Sequence, residues 1–329
     1  MLHEGPTVHR FDGLAPDTEH ELAGVTVRTL PHPGGALLCR FATVNDVHFG
    51  EVVCGMLDES QPEKGPILTI DGDRPHPEVM NDGAASEIEA IEPAAVIAKG
   101  DLTATGIDAE YRAFLDCYGR FGERLHHVRG NHDAFSGLTY ADGPQWIELP
   151  GVNVALLDTV IPGDDRGTVD APQLAWLDDH AAATTDRPVL VMAHHFPWSP
   201  DAGTRPDGYF GIHPDASERL VDLIARRPSI TGCFAGHSHR NRVRHFSAAP
   251  SVPFVEVACA KDYPGTWAEY RVYEGGILQV HHRTSTPDAL AWSERCRGLY
   301  ADFGVDYAPF ALGTIGDHSF TIPARQPPR

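Results

Sequence analysis

The chain has 329 residues, enough for one large domain or two modest ones around a substantial buried core. It carries 26 Lys and Arg against 46 Asp and Glu, a formal charge of −20, which argues against a general nucleic-acid binder because nothing over most of the surface offsets phosphate repulsion. No solenoid-type repeat, no leader-like apolar run at the start and no apolar stretch of about 18 residues is visible, so a cytoplasmic protein without membrane contact is the expectation.

In chain order, residues 1–35 contain GLAPDTEHELAGVTVRTL, whose period-two pattern and turn signals predict a short β extension beside the first core strand. ALLCRFATV then reads as a buried strand that ends abruptly at Asn45-Asp46-Val47-His48. The stretch from Gly50 to Gly83 is rich in Gly, Pro and Asp and too long for a connector; it reads as a lid or pocket wall, or a subunit contact that leaves a homo-oligomer open. Next come a helix in AASEIEAIEP, a strand in PAAVIAKGD ending at Asp101, a helix in DAEYRAFLDCYGRFG and a strand in RLHHVRGNHD ending at Asn131-His132. DAPQLAWLDDHAAAT and SERLVDLIARRP have apolar residues at helical spacing, and between and after them RPVLVMAHH ends at His194-His195 and ITGCFAGHSH at His237-Ser238-His239.

Beyond His245, VPFVEVACA and TWAEYRVYEGGILQVHHR predict two or three strands with a hairpin turning at Glu274-Gly275-Gly276. Residues 286–329 read as a helix and an extended tail, disordered at its end, packed on or capping the domain 36–285. Strands alternating with helices imply an α/β sandwich with largely parallel strands, in which sites form where strand ends meet loops. The six cysteines are scattered singly and read as reduced, mostly buried thiols, Cys54 lying nearest a motif.

Five separate strands thus deliver polar residues to their C-terminal ends. Asp and His in such number suit Mn, Fe or Zn rather than Mg or Ca, which prefer all-oxygen shells. Spacing of the D-x-H type lets two side chains converge if the backbone is extended, since alternate residues then point to one side. Taken in order, Asp46-x-His48, Gly100-Asp101, Gly130-Asn131-His132-Asp133, His194-His195 and Gly236-His237-Ser238-His239 resemble the calcineurin-like metallophosphoesterase family, over roughly Ala36 to His245.

That resemblance implies a four-layer α/β/β/α sandwich of two mixed sheets flanked by helices. It also implies two metal ions (Mn²⁺, Fe²⁺/Fe³⁺ or Zn²⁺), with Asp46, His48 and His239 at one, Asn131, His194 and His237 at the other, and Asp101 bridging. Asp101 and His132 are the implied catalytic residues. A hydroxide bridging the ions would attack phosphorus while His132 contacts the phosphate or protonates the leaving alcohol. Asp133 would orient His132 or cap a helix. Within the pair His194-His195, one alignment of the family makes His194 the ligand and another His195.

The stretch ALLDTVIPGDDRGTVDAPQLAWLDDHAA leading to VLVMAHHFP is similar to class III cyclic-nucleotide phosphodiesterases and glycerophosphodiesterases. A small phosphodiester is therefore the leading substrate, with a phosphomonoesterase or promiscuous phosphoesterase on the same metals as the alternative. Trp198, Arg205, Tyr209 and His213, on the loop after His195, are candidates for the pocket. Asp164-Asp165-Arg166 reads as a solvated turn, and His126-His127 and His281-His282 as strand or surface histidines.

Overall fold

The computed structural model describes residues 7–57, 60–70, 74–137 and 139–324. A hairpin of β1 (Glu19–Leu22) and β2 (Val25–Arg28) precedes β3 (Leu37–Val44), α1 (His76–Ala90), β4 (Val96–Lys99), α2 (Asp108–Tyr118), β5 (Leu125–Val128), β6 (Gln145–Leu149), β7 (Val152–Leu157) and α3 (Ala171–Ala183). These are followed by β8 (Val189–Ala193), α4 (Pro214–Arg226), β9 (Ile230–Ala235), β10 (Arg242–Phe246), β11 (Ala249–Glu256), β12 (Thr266–Tyr273), β13 (Gly276–Arg283), α5 (Pro287–Arg295), α6 (Tyr307–Leu312) and β14 (Phe320–Pro323). Among the described residues no helix is long and apolar enough to cross a membrane.

Two six-stranded sheets form the centre, in the orders β14-β13-β12-β3-β4-β5 and β10-β11-β9-β8-β7-β6. The strands are not largely parallel. β3, β4 and β5 run parallel in one sheet and β7, β8, β9 and β11 in the other, while β12, β13, β14, β10 and β6 join antiparallel at the flanks. Short hairpins make the β6-β7, β10-β11 and β12-β13 joins, the β3-β12 and β13-β14 joins link distant segments, and a helix crosses over at every parallel step except β9 to β11, where β10 intervenes. β1 and β2 pair with each other and not with β3.

The strands at the centre are apolar on both faces because both faces are covered. Along β8, Leu190 and Met192 enter the core between the sheets while Val189, Val191 and Ala193 face the layer of α3 and α4. Along β3 and β4, Phe41 and Ile97 face inward, and Ala42, Val44, Val96 and Ala98 pack against α1 and α2. Phe41 stacks on Tyr270 at 4.6 Å and Phe234 meets Tyr270 edge-on across the sheets at 5.4 Å. Each such fully buried apolar side chain contributes about 1.5–3 kcal/mol. Three apolar layers between four layers of elements result, the α/β/β/α sandwich.

Helix α1 starts eight residues before Ala84, inside the segment that reads as loop, because Pro77 occupies its first turn, where a missing N–H costs nothing. Its Asn81 donates to the carbonyls of Val47 (3.0 Å) and Pro77 (2.8 Å), tying the helix to the loop after β3. The described part of the preceding segment packs on the C-terminal helices: Cys54, Met80, Tyr263, Trp292, Cys296 and Tyr307 share a small core, and the Arg295 guanidinium donates to the Thr69 carbonyl. Residues 320–323 form the sheet-edge strand β14, and the expected disorder at residues 325–329 lies outside the described residues.

Candidate metal centre

The C-terminal ends of β3, β4 and β5 lie side by side in one sheet, those of β8 and β9 in the other, and the five following loops meet between them. Backbone bonds zip the first two loops together: Asp46 N to Gly100 O (3.1 Å), Val47 N and His48 N to Asp101 O (3.0 Å each). Asp46, His48, Asp101, His237 and His239 all have positive φ, between 46° and 66°. Non-glycine residues avoid that region, and it is held here by the surrounding bonds. The convergence of Asp46 with His48, and of His237 with His239, therefore comes from left-handed turns and not from strand alternation. Glycine precedes Asp101 for a steric reason, since a Cβ at Gly100 would lie 2.5 Å from the His194 ring.

The donors gather in two adjoining groups. Asp46, His48 and His239 offer atoms within 4.8 Å of one another, as do His194, His195 and His237. Asp101 stands between the groups, Oδ2 at 3.4 Å from His48 Nε2 and Oδ1 at 3.3 Å from His194 Nε2. His194 Nδ1 donates to the Lys99 carbonyl (3.0 Å), so Nε2 is the nitrogen that faces Asn131 Oδ1 (3.1 Å), His237 Nδ1 (3.1 Å) and Asp101 and would offer its lone pair once a cation displaces the proton. His195 is held otherwise, with Nδ1 at 2.8 Å from Thr159 Oγ1. Asn131 Nδ2 points to Asp165 Oδ1 at 3.5 Å, so Asp165, in the turn that reads as solvated, helps aim the Asn131 oxygen inward.

These donors fit divalent or trivalent cations. Both ring nitrogens of His48, together with His195 Nε2 and His237 Nε2, are buried without a hydrogen-bond partner. Burial works against charge on His194, yet Asp101 and Asp46 push it up to about 9, so positive charge is favoured at the centre. Burial, with His132 beside His48 and His195 beside His237, holds those two rings well below the usual histidine range, leaving them neutral as ligands must be.

His132 is half-buried at the edge of the centre, its ring 4.5 Å from that of His48. Its Nδ1 donates to the Ala104 carbonyl at 2.7 Å. Asp133 neither orients His132 nor caps a helix: it accepts from the backbone N–H of Gly130 (2.7 Å), Leu102 (3.0 Å) and Thr103 (2.9 Å) and from Thr103 Oγ1 (2.6 Å). Its fully buried carboxylate thus staples the loop after β4 to the loop after β5. Replacing Asp133 with alanine should orphan these donors and lower stability by roughly 3–5 kcal/mol; a denaturant titration showing a loss under about 1 kcal/mol would refute the staple.

The pocket candidates after β8 have other partners. Trp198 is buried, Tyr209 packs edge-on against Phe196 (5.7 Å), Arg205 pairs with Asp215 and with Glu218 (3.0 Å), and His213 is the residue before α4. Two aromatics that the sequence reading missed do border the centre. Phe210, 50% exposed, stacks on the His237 ring at 3.9 Å, and Phe135, 45% exposed, lies 4.7 Å from the His132 ring. Position alone hinted at Phe135, three residues after His132; nothing local distinguishes Phe210 from its neighbour Tyr209.

Residues 39–241, more than half of the chain, match the family model for calcineurin-like phosphoesterases. The chain is 26% identical to a probable glycerophosphodiester phosphodiesterase, GpdQ, of Arcobacter nitrofigilis, over 59% of its own length and 74% of the relative's. It is 30% identical to a cAMP/cGMP dual specificity phosphodiesterase of Mycobacterium tuberculosis over 53% of its length, which spans 56% of that relative. In three dimensions it superposes on a dimetal phosphatase from Danio rerio with a TM-score of 0.58 at 14% identity, covering 76% of this chain and 97% of that one, a likeness of fold.

Proposed function

The chain belongs to the calcineurin-like phosphoesterase family, and from that premise we propose that it is a dinuclear-metal phosphodiesterase acting on a small diester of cyclic-nucleotide or glycerophosphodiester type. Asp46, His48 and His239 would hold one ion, Asn131, His194 and His237 the other, and Asp101 both. Three donors around His194 Nε2 favour it over His195. The donor chemistry suits Mn, Fe or Zn. When bound, the ions would supply an acidified water as nucleophile and positive charge against the phosphoryl oxygens. The chain's own residues do the rest: Asn131 and the histidines aim their lone pairs inward, and His132, fixed through Nδ1, presents Nε2 to a phosphoryl oxygen or to the departing alcohol. A cytoplasmic location accords with six cysteines that all remain free thiols.

The rim carries the diester reading. A phosphomonoester brings a second negative charge, yet two arginines within two residues of candidate ligands are already paired, Arg129 with Asp158 and Arg240 with Glu256, each at 2.9 Å. Phe135 and Phe210 instead present apolar faces that suit the second ester group of a monoanion. The relatives named as phosphodiesterases support the same choice. After reconstitution with Mn²⁺, iron or Zn²⁺, kcat/KM for 3′,5′-cAMP, glycerophosphodiesters and bis(p-nitrophenyl) phosphate should exceed that for p-nitrophenyl phosphate. The reverse order would move the protein to the phosphomonoesterase alternative with the same metal centre.

A further inference from the structure

Behind the group formed by Asp46, His48 and His239 lies a buried charge cluster that the proposed chemistry does not use. Lys261, 3% exposed, sits on the loop between β11 and β12, its Nζ 2.7 Å from both oxygens of Glu51 and 3.6 Å from Asp262 Oδ2. Glu51 Oε2 in turn stands 3.6 Å from Nδ1 of His48, a ring nitrogen with no hydrogen-bond partner of its own. Asp262 Oδ2 stands 3.9 Å from Nδ1 of His239. One ammonium therefore joins two carboxylates, each behind the outward nitrogen of a different histidine of the same group.

The cluster is anchored from the C-terminal helices. Trp292 Nε1 donates to the Lys261 carbonyl (3.0 Å), and Tyr307 donates its hydroxyl to Asp262 Oδ1 (2.7 Å). Residues 51, 261 and 307 thus bear on one centre although they are far apart in the chain.

We propose that Lys261 is a positioning residue for the first metal ion: by clamping Glu51 and Asp262 behind His48 and His239, it fixes the tautomer and aim of both rings and sets how tightly that site holds its ion. At 3.6 and 3.9 Å the carboxylates act on the rings through their charge, which favours the proton on Nδ1 and leaves Nε2 as the donor lone pair. Two buried carboxylates alone would repel each other and splay apart. With the ammonium between them these three side chains sum to a single negative charge, complementary to a cation beyond the imidazoles, while His76 Nε2 stands 3.3 Å from Glu51 Oε1 on the far side. The inference rests on the reading that Asp46, His48 and His239 hold an ion.

The test is stepwise metal binding, read by calorimetric titration of Mn²⁺ or Zn²⁺ into metal-stripped full-length protein, with bound ions counted by elemental analysis. Lys261→Met should weaken one of the two binding steps by the roughly 10–100-fold expected of a lost outer partner and leave the other unchanged. Lys261→Arg should restore part of the loss. Affinities unchanged from wild type at both steps in Lys261→Met would overturn the proposal, as would an equal loss at both. Should Lys261→Met not fold, Glu51→Gln decides, since it retains the shape and removes the charge behind His48: the same one-step weakening supports the clamp and unchanged binding overturns it. A wild-type protein that binds no ion at either step would take down the ligand assignment and the clamp with it, whereas two wild-type steps with an unaffected variant remove only the clamp.

Discussion

Asp101→Ala is expected to remove both ions and to lower turnover by about 10³-fold or more, the loss that corresponds to several kcal/mol of charge stabilisation. The two oxygens of Asp101 face a ring nitrogen of each donor group, 3.4 Å from His48 Nε2 and 3.3 Å from His194 Nε2. The same carboxylate accepts the backbone N–H of His132 at 3.1 Å, so its loss also loosens the loop that carries Asn131 and His132. Burial would raise its pKa, but the facing rings of His194, His132 and His48 hold the carboxyl well below the usual range, and it remains an anion in position for cations. Alanine would in addition inherit the positive φ of 49° that Asp101 adopts, at a cost of about 1–2 kcal/mol in local strain. Elemental analysis beside kcat gives the answer, and retention of two ions by Asp101→Ala would refute the bridging role.

His132→Ala should behave in the opposite way, keeping both ions while kcat falls by roughly 10²–10⁴. The ring is fastened by its Nδ1 to the Ala104 carbonyl and lies against His48 and Phe135 at the edge of the centre, an arrangement that leaves Nε2 for substrate. A general acid matters most when the departing alcohol is basic. The loss should therefore be larger for an alkyl diester than for bis(p-nitrophenyl) phosphate, whose phenolate departs with little help. An equal loss on both substrates would reduce His132 to a phosphate contact, and a missing ion would make it a ligand.

The candidate donors were legible in the sequence because coordination restricts residue type and the strands restrict position. Asp46, Asp101, His194 and His237 each follow an apolar run, and a run buried on both faces is recognisable without knowing its neighbours, whereas Asn131 follows the half-buried β5 and was marked by its own motif. The α/β class followed from the same runs alternating with helices. What tertiary structure decided are contacts whose partners are distant or whose backbone is unusual. Left-handed turns at Asp46, His48, His237 and His239 replace the extended geometry that spacing suggested, because neighbouring loops supply the bonds that hold them. Asp133 reaches back to Leu102 and Thr103, a choice set by β4 and β5 lying side by side. Lys261 meets Glu51 across 210 positions because antiparallel β12 pairs with β3 and carries the preceding loop to the loop after β3. Local sequence determined which atoms can bind a cation, since ligand chemistry resides in single side chains; the order of strands determined which buried charges stand behind them, since that depends on which elements pack together.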